Sequence, residues 1–381
     1  MSAGVSTPLK PRPYDVVIAG AGPAGSLAAR RLARDGRRVA LLDKARFPRP
    51  KACGDCVSPR TWEIWKRHGL ADRFAALPHR LIRELEIQAE GQTVYRGPVP
   101  KEADEFRAVD RGVLDGWLIK EAFQAGADVF QETSVRAVRA DGWVEAEGPG
   151  GPLFFQGGLV MGADGRNSLV AQQADLLHLG SRKCRRAGWQ LSLAGLPASE
   201  TVAMNVFREG YYGLVDLGNG TANLTMVVDA RRNVRPEEIV ARYLPGARVE
   251  AKRSIAPISR PAAVPARGRI WLLGDAARVL EPFTGEGIYY ALASADKASE
   301  LASLHWGVWT RGEMTALYKE WSGILYRGEL GINRLAHFLL GSEAARLHLV
   351  PRLRHAPRLV AWMEKQVLCP PEKIRERFWF F

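Results

Sequence analysis

The segment that most constrains the fold is YDVVIAGAGPAGSLAARRLARDGRRVALLDKA, which covers residues 14–45. An apolar run at 16–19 predicts a buried strand, and the alanine- and leucine-rich stretch after the glycines predicts a helix to about Asp35. A second apolar run at 38–42 predicts another strand, which ends at Asp43. A strand, a glycine-rich turn, a helix, a second strand and an acid in this order are typical of a dinucleotide-binding βαβ unit.

Three glycines in the turn have separate roles in such a unit. Gly20 allows the tight turn, Gly22 lets the backbone approach a pyrophosphate, and Gly25 lets the helix pack closely on the strand. The pyrophosphate lies at the positive end of the helix. Asp43, 18 residues after Gly25, can accept hydrogen bonds from ribose hydroxyls. The predicted site also includes two neighbouring residues, Ala24 and Lys44.

Two later segments repeat the order of strand, turn and helix: GGLVMGADGRNSLV at 157–170 and GRIWLLGDAARVLEPFTGEGIYYALASADKASELA at 268–302. Other runs, such as LIRELEIQAEGQTVYRG at 81–97, alternate like antiparallel strands. The sequence therefore predicts an α/β protein, in which a Rossmann-like domain holds an inserted antiparallel β-sheet domain for the substrate and is followed by helices. The expected bounds are 12–85, 105–180 and 256–305 for the nucleotide-binding domain, 86–104 and 181–255 for the inserted sheet, and 306–381 for the helical region.

The composition excludes one class of partner. Of the 381 residues, 54 are Lys or Arg and 41 are Asp or Glu, which gives a formal net charge of +13. The basic residues are scattered and match no nucleic-acid-binding module, so we expect no nucleic-acid partner. An arginine-rich composition, an anionic membrane surface or an acidic ligand could each account for the charge.

The sequence shows neither a membrane span nor a secretory signal. No stretch of 18 uninterrupted apolar residues is present, and the first 15 residues lack the apolar centre of a signal peptide. We therefore expect a cytoplasmic protein that is a monomer or a homodimer. Basic and apolar residues after about 310 predict helices that pack on the core, cap the substrate site or rest on the inner face of a membrane.

Three glycine-rich blocks, GAGPAG, GADGRNS and GDAARVLEPFTGEGI, stand in this order along the chain. Together they resemble the flavoprotein group that includes p-hydroxybenzoate hydroxylase, tryptophan halogenases and geranylgeranyl reductases, over about residues 14–300. The resemblance implies that the tightly and non-covalently held nucleotide is FAD rather than NAD. It also implies that NAD(P)H or another reductant is a transient electron donor, without a second nucleotide domain to hold it.

The third block has implied roles at the flavin. Asp275, next to Gly274, would accept hydrogen bonds from the ribityl hydroxyls. The helix that opens at TGEGI would direct its free N–H groups toward the flavin pyrimidine oxygens and stabilise the negative charge of a reduced flavin. The residues of this run that the resemblance assigns to the cofactor are Pro282, Gly285, Gly287 and Ile288.

Three residues elsewhere are implied to contact FAD. Arg111 would contact the diphosphate region, Val135 would offer its backbone to adenine, and Asp164 would lie near the diphosphate. Other interpretations stay open at this point. Asp164 and Asp275 could each cap the helix that follows, and Arg111 could pair with Asp115, four residues later.

The loop KACGDCVSP, residues 51–59, contains two of the four cysteines, Cys53 and Cys56. The other two cysteines are isolated, so we expect no metal site. A redox-active pair is disfavoured because flavin-dependent disulfide reductases carry a second glycine-rich fingerprint, for NAD(P)H, in the middle of the chain. This sequence has no such second fingerprint. Geranylgeranyl reductases carry a Lys-x-Cys-Gly loop beside the flavin and the substrate, and Lys51, Cys53 and Gly54 match it. Cys53 is thus a candidate catalytic residue that tunes the flavin or relays a proton, with simple packing as the alternative.

The substrate region departs from the reductase pattern. Geranylgeranyl reductases have a Tyr-x-Trp-x-Phe-Pro run, whereas this chain has YYGLVDLG, with Leu214, Asp216 and Leu217 at the Trp, Phe and Pro positions. Tyr212 is retained and is a candidate catalytic residue, unless it packs with Tyr211 in the sheet core. The Trp-x-Trp-x-Ile-Pro run of the halogenases is also missing, which argues against halogenation.

These features predict an FAD-dependent oxidoreductase that acts on a hydrophobic small molecule. The preferred reaction is reduction of a C=C bond by hydride transfer from flavin N5, as in geranylgeranyl reductases. Two alternatives stay open. One is a monooxygenase that hydroxylates an aromatic or polyketide substrate, and the other is a protein that binds flavin or an anionic partner without catalysis.

Overall fold

The strands follow the apolar and alternating runs of the sequence. The computed structural model describes residues 10–178, 186–280, 283, 285–307, 310–326 and 338–369. In chain order the strands are β1 (Arg12–Ala19), β2 (Val39–Leu42), β3 (Cys56–Val57), β4 (Arg80–Ile82), β5 (Glu84–Ala89), β6 (Gln92–Pro98), β7 (Phe106–Ala108), β8 (Asp128–Phe130), β9 (Ser134–Val138), β10 (Trp143–Gly148), β11 (Gly151–Gly162), β12 (Arg186–Ala194), β13 (Thr201–Phe207), β14 (Gly210–Asp216), β15 (Ala222–Asp229), β16 (Arg248–Ile255), β17 (Ala266–Arg267) and β18 (Ile270–Leu272). The α-helices are α1 (Pro23–Arg34), α2 (Thr61–Arg67), α3 (Ala71–Ala75), α4 (Arg111–Gln124), α5 (Leu169–Gln173), α6 (Pro236–Tyr243), α7 (Gly287–Leu304), α8 (Arg311–Leu325), α9 (Glu343–His348) and α10 (Pro357–Leu368).

A mainly parallel sheet forms the nucleotide-binding layer. Its central strands run in the order β18, β11, β1, β2 and β8, each parallel to its neighbour, and β17 adds an antiparallel edge. Val16 and Ile18 of β1 pack on the side that also holds residues of α1, α4 and α7, whereas Val17 packs on the opposite side. Burial on both faces explains the unbroken apolar run in β1.

The turn after β1 brings backbone atoms too close together for side chains. Gly20 has φ +102°, and a Cβ atom added there would lie 2.4 Å from the carbonyl oxygen of Ala163. A Cβ atom at Gly25 would lie 1.8 Å from the carbonyl oxygen of Gly20. Glycine is therefore required at both positions, and α1 begins directly at the carboxyl end of β1, with Gly22 as its N-cap.

A second, mostly antiparallel sheet collects the strand-rich segments. Its order is β16, β12, β15, β14, β13, β5 and β6, with β13 and β5 parallel to each other. β14 and β15 form a hairpin, and a turn at 217–221 joins them. The first strand of this sheet begins at Glu84, two residues before the expected bound of the insert. Tyr212 and Ile239 pack together on one face, and Tyr211 lies on the other.

Helices follow the nucleotide-binding segments, as predicted. α8 packs against α7 and β17, and its start is stabilised by a capping box between Thr310 and Glu313. α10 lies against β6 of the second sheet. Among the residues that the structure describes, no helix is both long enough and apolar enough to cross a membrane.

Candidate active site

A cavity of about 970 Å³ lies where the parallel sheet, the cysteine loop, the second sheet and α10 meet. This volume is at the upper end of the range for cofactor and ligand sites. All but one of the described residues that the sequence assigns to FAD line the cavity. They are Gly20, Gly22, Ala24, Asp43, Lys44, Cys53, Gly54, Arg111, Val135, Asp164, Gly274, Asp275, Gly285, Gly287 and Ile288. Gly25 is the exception, because it lies beneath the turn against Gly20, and Pro282 is outside the described residues.

Two helices begin at the cavity wall. α1 starts after Gly22 and α7 after Glu286, and at neither start does a backbone N–H donate a hydrogen bond to the side chain of the N-cap residue. Their first N–H groups and positive dipole ends are therefore available to a ligand. A Cβ atom at Gly22 would lie 3.8 Å from its nearest protein neighbour in Arg49, and one at Gly287 would meet nothing within 4 Å. These glycines border open space, which fits a diphosphate at α1 and a flavin ring at α7.

Two carboxylates stand at strand ends on the cavity wall. Asp43 accepts hydrogen bonds from the N–H groups of Ala21 (2.8 Å) and Ala45 (2.9 Å), so its side chain is fixed beside the glycine-rich turn. Asp275 follows β18 and lies 3.3 Å from the guanidinium of Arg166. A carboxylate oxygen can accept more than one hydrogen bond. Both positions are therefore compatible with the ribose and ribityl roles implied by the sequence.

Arg111 lies on the cavity wall, as its predicted role requires, and also pairs with Asp115, as the alternative interpretation expected. Its guanidinium donates two hydrogen bonds to Asp115, at 2.9 and 2.8 Å, and both side chains are buried. The alternative of pairing with Asp115 is therefore correct. The same guanidinium also lines the cavity and contacts the sulfur of Cys53. Asp115 thus holds Arg111 in a fixed orientation at the cavity wall, where a phosphate group could also bind.

Asp164 caps α5, as the alternative interpretation expected. Its carboxylate accepts hydrogen bonds from the Ser168 hydroxyl (2.6 Å) and from the N–H groups of Leu169 (2.7 Å) and Val170 (3.2 Å). Both oxygens accept hydrogen bonds within the turn, and the residue borders the cavity. The capping interpretation is therefore correct, and the expected place of Asp164 near the diphosphate stays a prediction.

Val135 lies near the start of β9, which pairs with β10 through Ala146. Thr133, Ser134 and Arg136 flank it on the cavity wall. The start of β9 therefore forms part of the cavity wall, which is compatible with the implied backbone contact to adenine.

The cysteine loop is attached to the second sheet. The side chains of Asn223 and Thr225, both in β15, donate hydrogen bonds to the carbonyl oxygen of Cys53, at 2.7 and 3.0 Å. Asn223 also donates to the Asp55 carboxyl group, at 2.7 Å. Cys56 opens β3 and also borders the cavity. The loop therefore joins the nucleotide-binding layer to the second sheet at the centre of the cavity.

The loop holds two groups whose pKa values are raised. Burial raises the pKa of the Cys53 thiol, although the Arg111 guanidinium and the Asp55 backbone N–H both contact the sulfur and oppose the change. Burial also raises the pKa of the Asp55 carboxyl group to about 8, again opposed by Arg111. Both groups therefore hold their protons near neutral pH.

Tyr212 is not part of the cavity, which corrects its prediction as a catalytic residue. Only 1% of the residue is exposed, and its ring packs with Phe207 and Tyr243 on the far face of the second sheet. Its neighbour Tyr211 lines the cavity instead. Successive side chains of a strand point to opposite faces, so only one of the two tyrosines can face a ligand.

One part of the cavity is lined mainly by apolar residues of the second sheet, β7 and α10, and we call it the apolar wing. Its lining residues are Leu85, Glu86, Ile87, Phe106, Val202, Ala203, Met204, Tyr211, Leu214, Val215, Val360, Met363, Glu364, Val367 and Leu368. Such a lining favours an apolar ligand, because burial of its surface is stabilising by about 25 cal/mol per Å².

Sequence reasoning missed Asp55, Asn223 and Thr225. Asp55 lies between the two cysteines, so an acid inside a cofactor-side loop was a signal that could have been used. Asn223 and Thr225 are 170 and 172 residues from Cys53. No local pattern reports a contact over that separation.

Comparison with known proteins is consistent with this geometry. A family model described as an FAD binding domain matches residues 13–304. The chain belongs to this family. It is therefore an FAD-dependent oxidoreductase, and the resemblance noted in the sequence is confirmed.

Three relatives illustrate the range of the family. The chain is 28% identical over 310 residues to a digeranylgeranylglycerophospholipid reductase of Methanoculleus marisnigri, which covers 76% of each chain. It is 28% identical to a menaquinone reductase of Mycolicibacterium smegmatis, over 82% of this chain and 80% of the relative. It is 31% identical to a geranylgeranyl diphosphate reductase of Rhodobacter capsulatus, over 76% of this chain and 75% of the relative.

Solved structures share the fold at lower identity. A geranylgeranyl bacteriochlorophyll reductase-like protein of Thermoplasma acidophilum superposes with a TM-score of 0.77 at 18% identity, over 96% of this chain and 98% of that one. A flavin-dependent brominase superposes with a TM-score of 0.78 at 17% identity, over 94% and 96%. Both kinds of enzyme therefore use this arrangement of sheets.

The Gly22→Val variant should fold but fail to retain FAD. The backbone at Gly22 has φ −73° and ψ −172°, which valine also adopts, and no protein atom blocks a side chain there. The new side chain would instead fill the space needed by the diphosphate. We expect flavin absorbance of the purified variant to be lost while its circular dichroism is unchanged, with Gly22→Ala intermediate. A yellow, stoichiometrically loaded valine variant would contradict this assignment.

The Tyr212→Phe variant should lose stability but not activity. The phenol is buried in the core of the second sheet, where its ring packs with Phe207 and Tyr243, so the loss of its packed hydroxyl should lower the free energy of unfolding by about 1 kcal/mol. Urea unfolding and the rate of flavin reoxidation by substrate measure the two effects. A tenfold loss of rate with unchanged stability would return Tyr212 to the catalytic site.

Proposed function

We propose that this protein is a reductase that adds two hydrogens across a C=C bond of an apolar, isoprenoid-type molecule. The observation that supports it is the position of Cys53, which lines the cavity in a loop that is hydrogen-bonded to β15 of the second sheet. When bound, FAD supplies the hydride. The three relatives, which are all named as reductases, support the same reaction class.

We propose that the cofactor side of the cavity holds FAD through the residues predicted from the sequence. The start of α1 and Gly22 would receive the diphosphate, and Asp43 would accept from the ribose. Asp275 would accept from the ribityl chain. The start of α7 would direct its positive end toward negative charge on the ring, which is favourable where water is excluded.

Cys53 would hold and deliver the proton that accompanies hydride transfer. A general acid must be protonated before the reaction, and burial keeps this thiol in that form. The thiolate left behind would be stabilised by the Arg111 guanidinium and by the Asp55 backbone N–H, which both contact the sulfur. The protonated Asp55 carboxyl group, two residues away, would resupply the proton.

Two departures from the reductase pattern, Leu214 and Asp216, lie on the same face of β14 as Tyr212, opposite the face that Tyr211 presents to the cavity. Leu214 packs in the same core cluster as Tyr212. Asp216 has a structural role, because its carboxylate accepts from the N–H groups of Ser199 (2.9 Å) and Gly218 (2.8 Å) and pairs with Arg80 (3.0 Å). We infer that these changes affect the packing of the second sheet while the reaction class is retained.

We also propose that the outer face of α10 rests on an anionic membrane surface, from which an apolar substrate would enter. Leu359 and Trp362 are exposed on this face, with 47% and 54% of their surface accessible. Arg358 and Lys365 are exposed beside them. An amphipathic helix of this kind binds at the lipid interface through its apolar side chains and its cations. The opposite face of the same helix lines the apolar wing.

Membrane binding should depend on the two exposed apolar side chains of α10. We expect the protein to sediment with vesicles of phosphatidylglycerol and phosphatidylcholine, and the Leu359→Ala, Trp362→Ala double variant to bind about tenfold more weakly. Phe123→Ala, which removes an exposed apolar side chain from α4, is the matched control. Equal sedimentation of the two variants would contradict the proposal.

The reaction is tested by reducing the FAD-loaded protein with NADPH or dithionite without oxygen, and then adding geranylgeraniol or a menaquinone. We expect oxidised flavin to return and the product to gain two hydrogens at a C=C bond of the isoprenoid chain, located by fragmentation in the mass spectrum, because the ring of a menaquinone can also accept two hydrogens. Cys53→Ala should slow this step by about a hundredfold, because a positioned general acid contributes at least that much. Cys369→Ser, which changes a cysteine outside the cavity lining, should leave the rate unchanged.

The same experiment tests the rival reaction. A product that gains an oxygen atom when air is admitted would show a monooxygenase. Failure of the protein to bind FAD would contradict both reactions. Equal rates for Cys53→Ala and the wild type would leave the proposed reductase reaction in place but would show that Cys53 is not the proton donor.

A further inference from the structure

The charges around the cavity are segregated. Every cation on its described wall comes from the segments that surround the cofactor side. These cations are Lys44, Arg49, Lys51, Arg111, Arg136, Arg166 and Arg278. In the described part of the apolar wing, the charged residues are two acids, Glu86 and Glu364. The Glu86 side chain lies on the same face of the second sheet as Tyr212, away from the cavity, so Glu364 is the acid considered for a ligand. The cations on the cofactor side suit the diphosphate of FAD, which is an anion. The described part of the wing has no cation that could bind a second diphosphate, such as that of a prenyl diphosphate.

Glu364 is held at the wing by the packing of α10. Val360 and Leu368, one turn before and one turn after it, are buried at 2% and 4% exposure. The Tyr95 hydroxyl, in β6, donates a hydrogen bond of 2.8 Å to Oε2 of Glu364. This contact orients the carboxyl group and uses one of its two oxygens. The other oxygen is left to interact with a molecule in the wing.

The environment of this carboxyl group favours a neutral partner. Burial raises the pKa of Glu364 to about 7, although the hydrogen bond from Tyr95 opposes the change. The protonated form donates a hydrogen bond to a carbonyl or hydroxyl oxygen, and the ionised form accepts one from a hydroxyl. Neither form attracts a diphosphate, and the ionised form repels it.

We propose that the apolar wing binds a long apolar molecule that ends in a neutral oxygen group, a quinone carbonyl or an isoprenoid alcohol, and that Glu364 forms a hydrogen bond with that oxygen. This inference rests on the proposed function and narrows its substrate class. Among the activities named for the relatives, it favours a quinone or a neutral prenyl compound over a prenyl diphosphate. Glu364 is thus a specificity-determining residue, and Tyr95 positions it.

The test is the binding of three probes to the FAD-loaded protein, measured by perturbation of the flavin spectrum. The probes are geranylgeraniol, a menaquinone and geranylgeranyl diphosphate. We expect the wild type to bind at least one neutral probe about tenfold or more tightly than the diphosphate. Glu364→Ala should weaken the neutral probe by about fivefold, the effect of one lost hydrogen bond, and Glu364→Gln should stay within about threefold because the amide still donates.

Charge reversal gives the sharpest comparison. Glu364→Lys places a cation in the wing and should shift the preference toward the diphosphate by at least about tenfold. Gln366→Lys is the matched control, because it adds a cation to an exposed position of the same helix outside the cavity lining. It should leave the preference of the wild type unchanged. Tighter binding of the quinone or of the alcohol decides which oxygen group is recognised.

Each outcome separates this inference from the proposed function. A wild type that binds and reduces the diphosphate as well as the neutral probes, with no shift in Glu364→Lys, overturns the role of Glu364 but leaves the reductase in place. A wild type that binds a neutral probe in the expected way but reduces none of them supports the recognition and overturns the reaction. Failure to bind any of the three probes overturns both.

Discussion

The close approach of two backbone segments at the glycine-rich turn is the contact on which the rest of the structure depends. A Cβ atom added at Gly25 would lie only 1.8 Å from the carbonyl oxygen of Gly20. Only because both residues lack a side chain can α1 begin directly above the carboxyl ends of β1 and β2. That position directs the helix dipole into the cavity and places Asp43 beside the turn. The cofactor side of the site follows from this contact.

The second constraint is the attachment of the cysteine loop to β15. Hydrogen bonds from Asn223 and Thr225 hold the Cys53 carbonyl oxygen, so the loop that carries the thiol is fixed between the glycine-rich turn and the second sheet. Burial raises the pKa of this thiol, and the Arg111 guanidinium opposes the change. A reductase needs such a combination, because hydride transfer leaves a carbanion-like centre that must be protonated without admitting water.

Several predicted residues that line the cavity belong to short local patterns, and the residues that sequence reasoning missed depend on distant parts of the chain. Gly20, Gly22 and Asp43 lie in one βαβ unit, and their spacing alone placed them at the cavity. Tyr212 was proposed because it matches a tyrosine of a family motif. Side chains alternate along a strand, however, so Tyr212 packs in the core on the other face of the sheet and Tyr211 lines the cavity. Glu364 had no signal, because its role depends on α10 folding back against β6.

The sequence by itself determined the fold class, the FAD-binding segments and the discontinuous arrangement of the two sheets, because each depends on a glycine turn or on a periodicity of a few residues. Tertiary structure alone decided how Arg111 and Asp164 are used, since each choice depends on which partner lies within hydrogen-bond distance. It also determined which residues form the apolar wing and that Glu364 lies at its wall. These features arise where the second sheet and α10 meet, and no local stretch of sequence contains that contact.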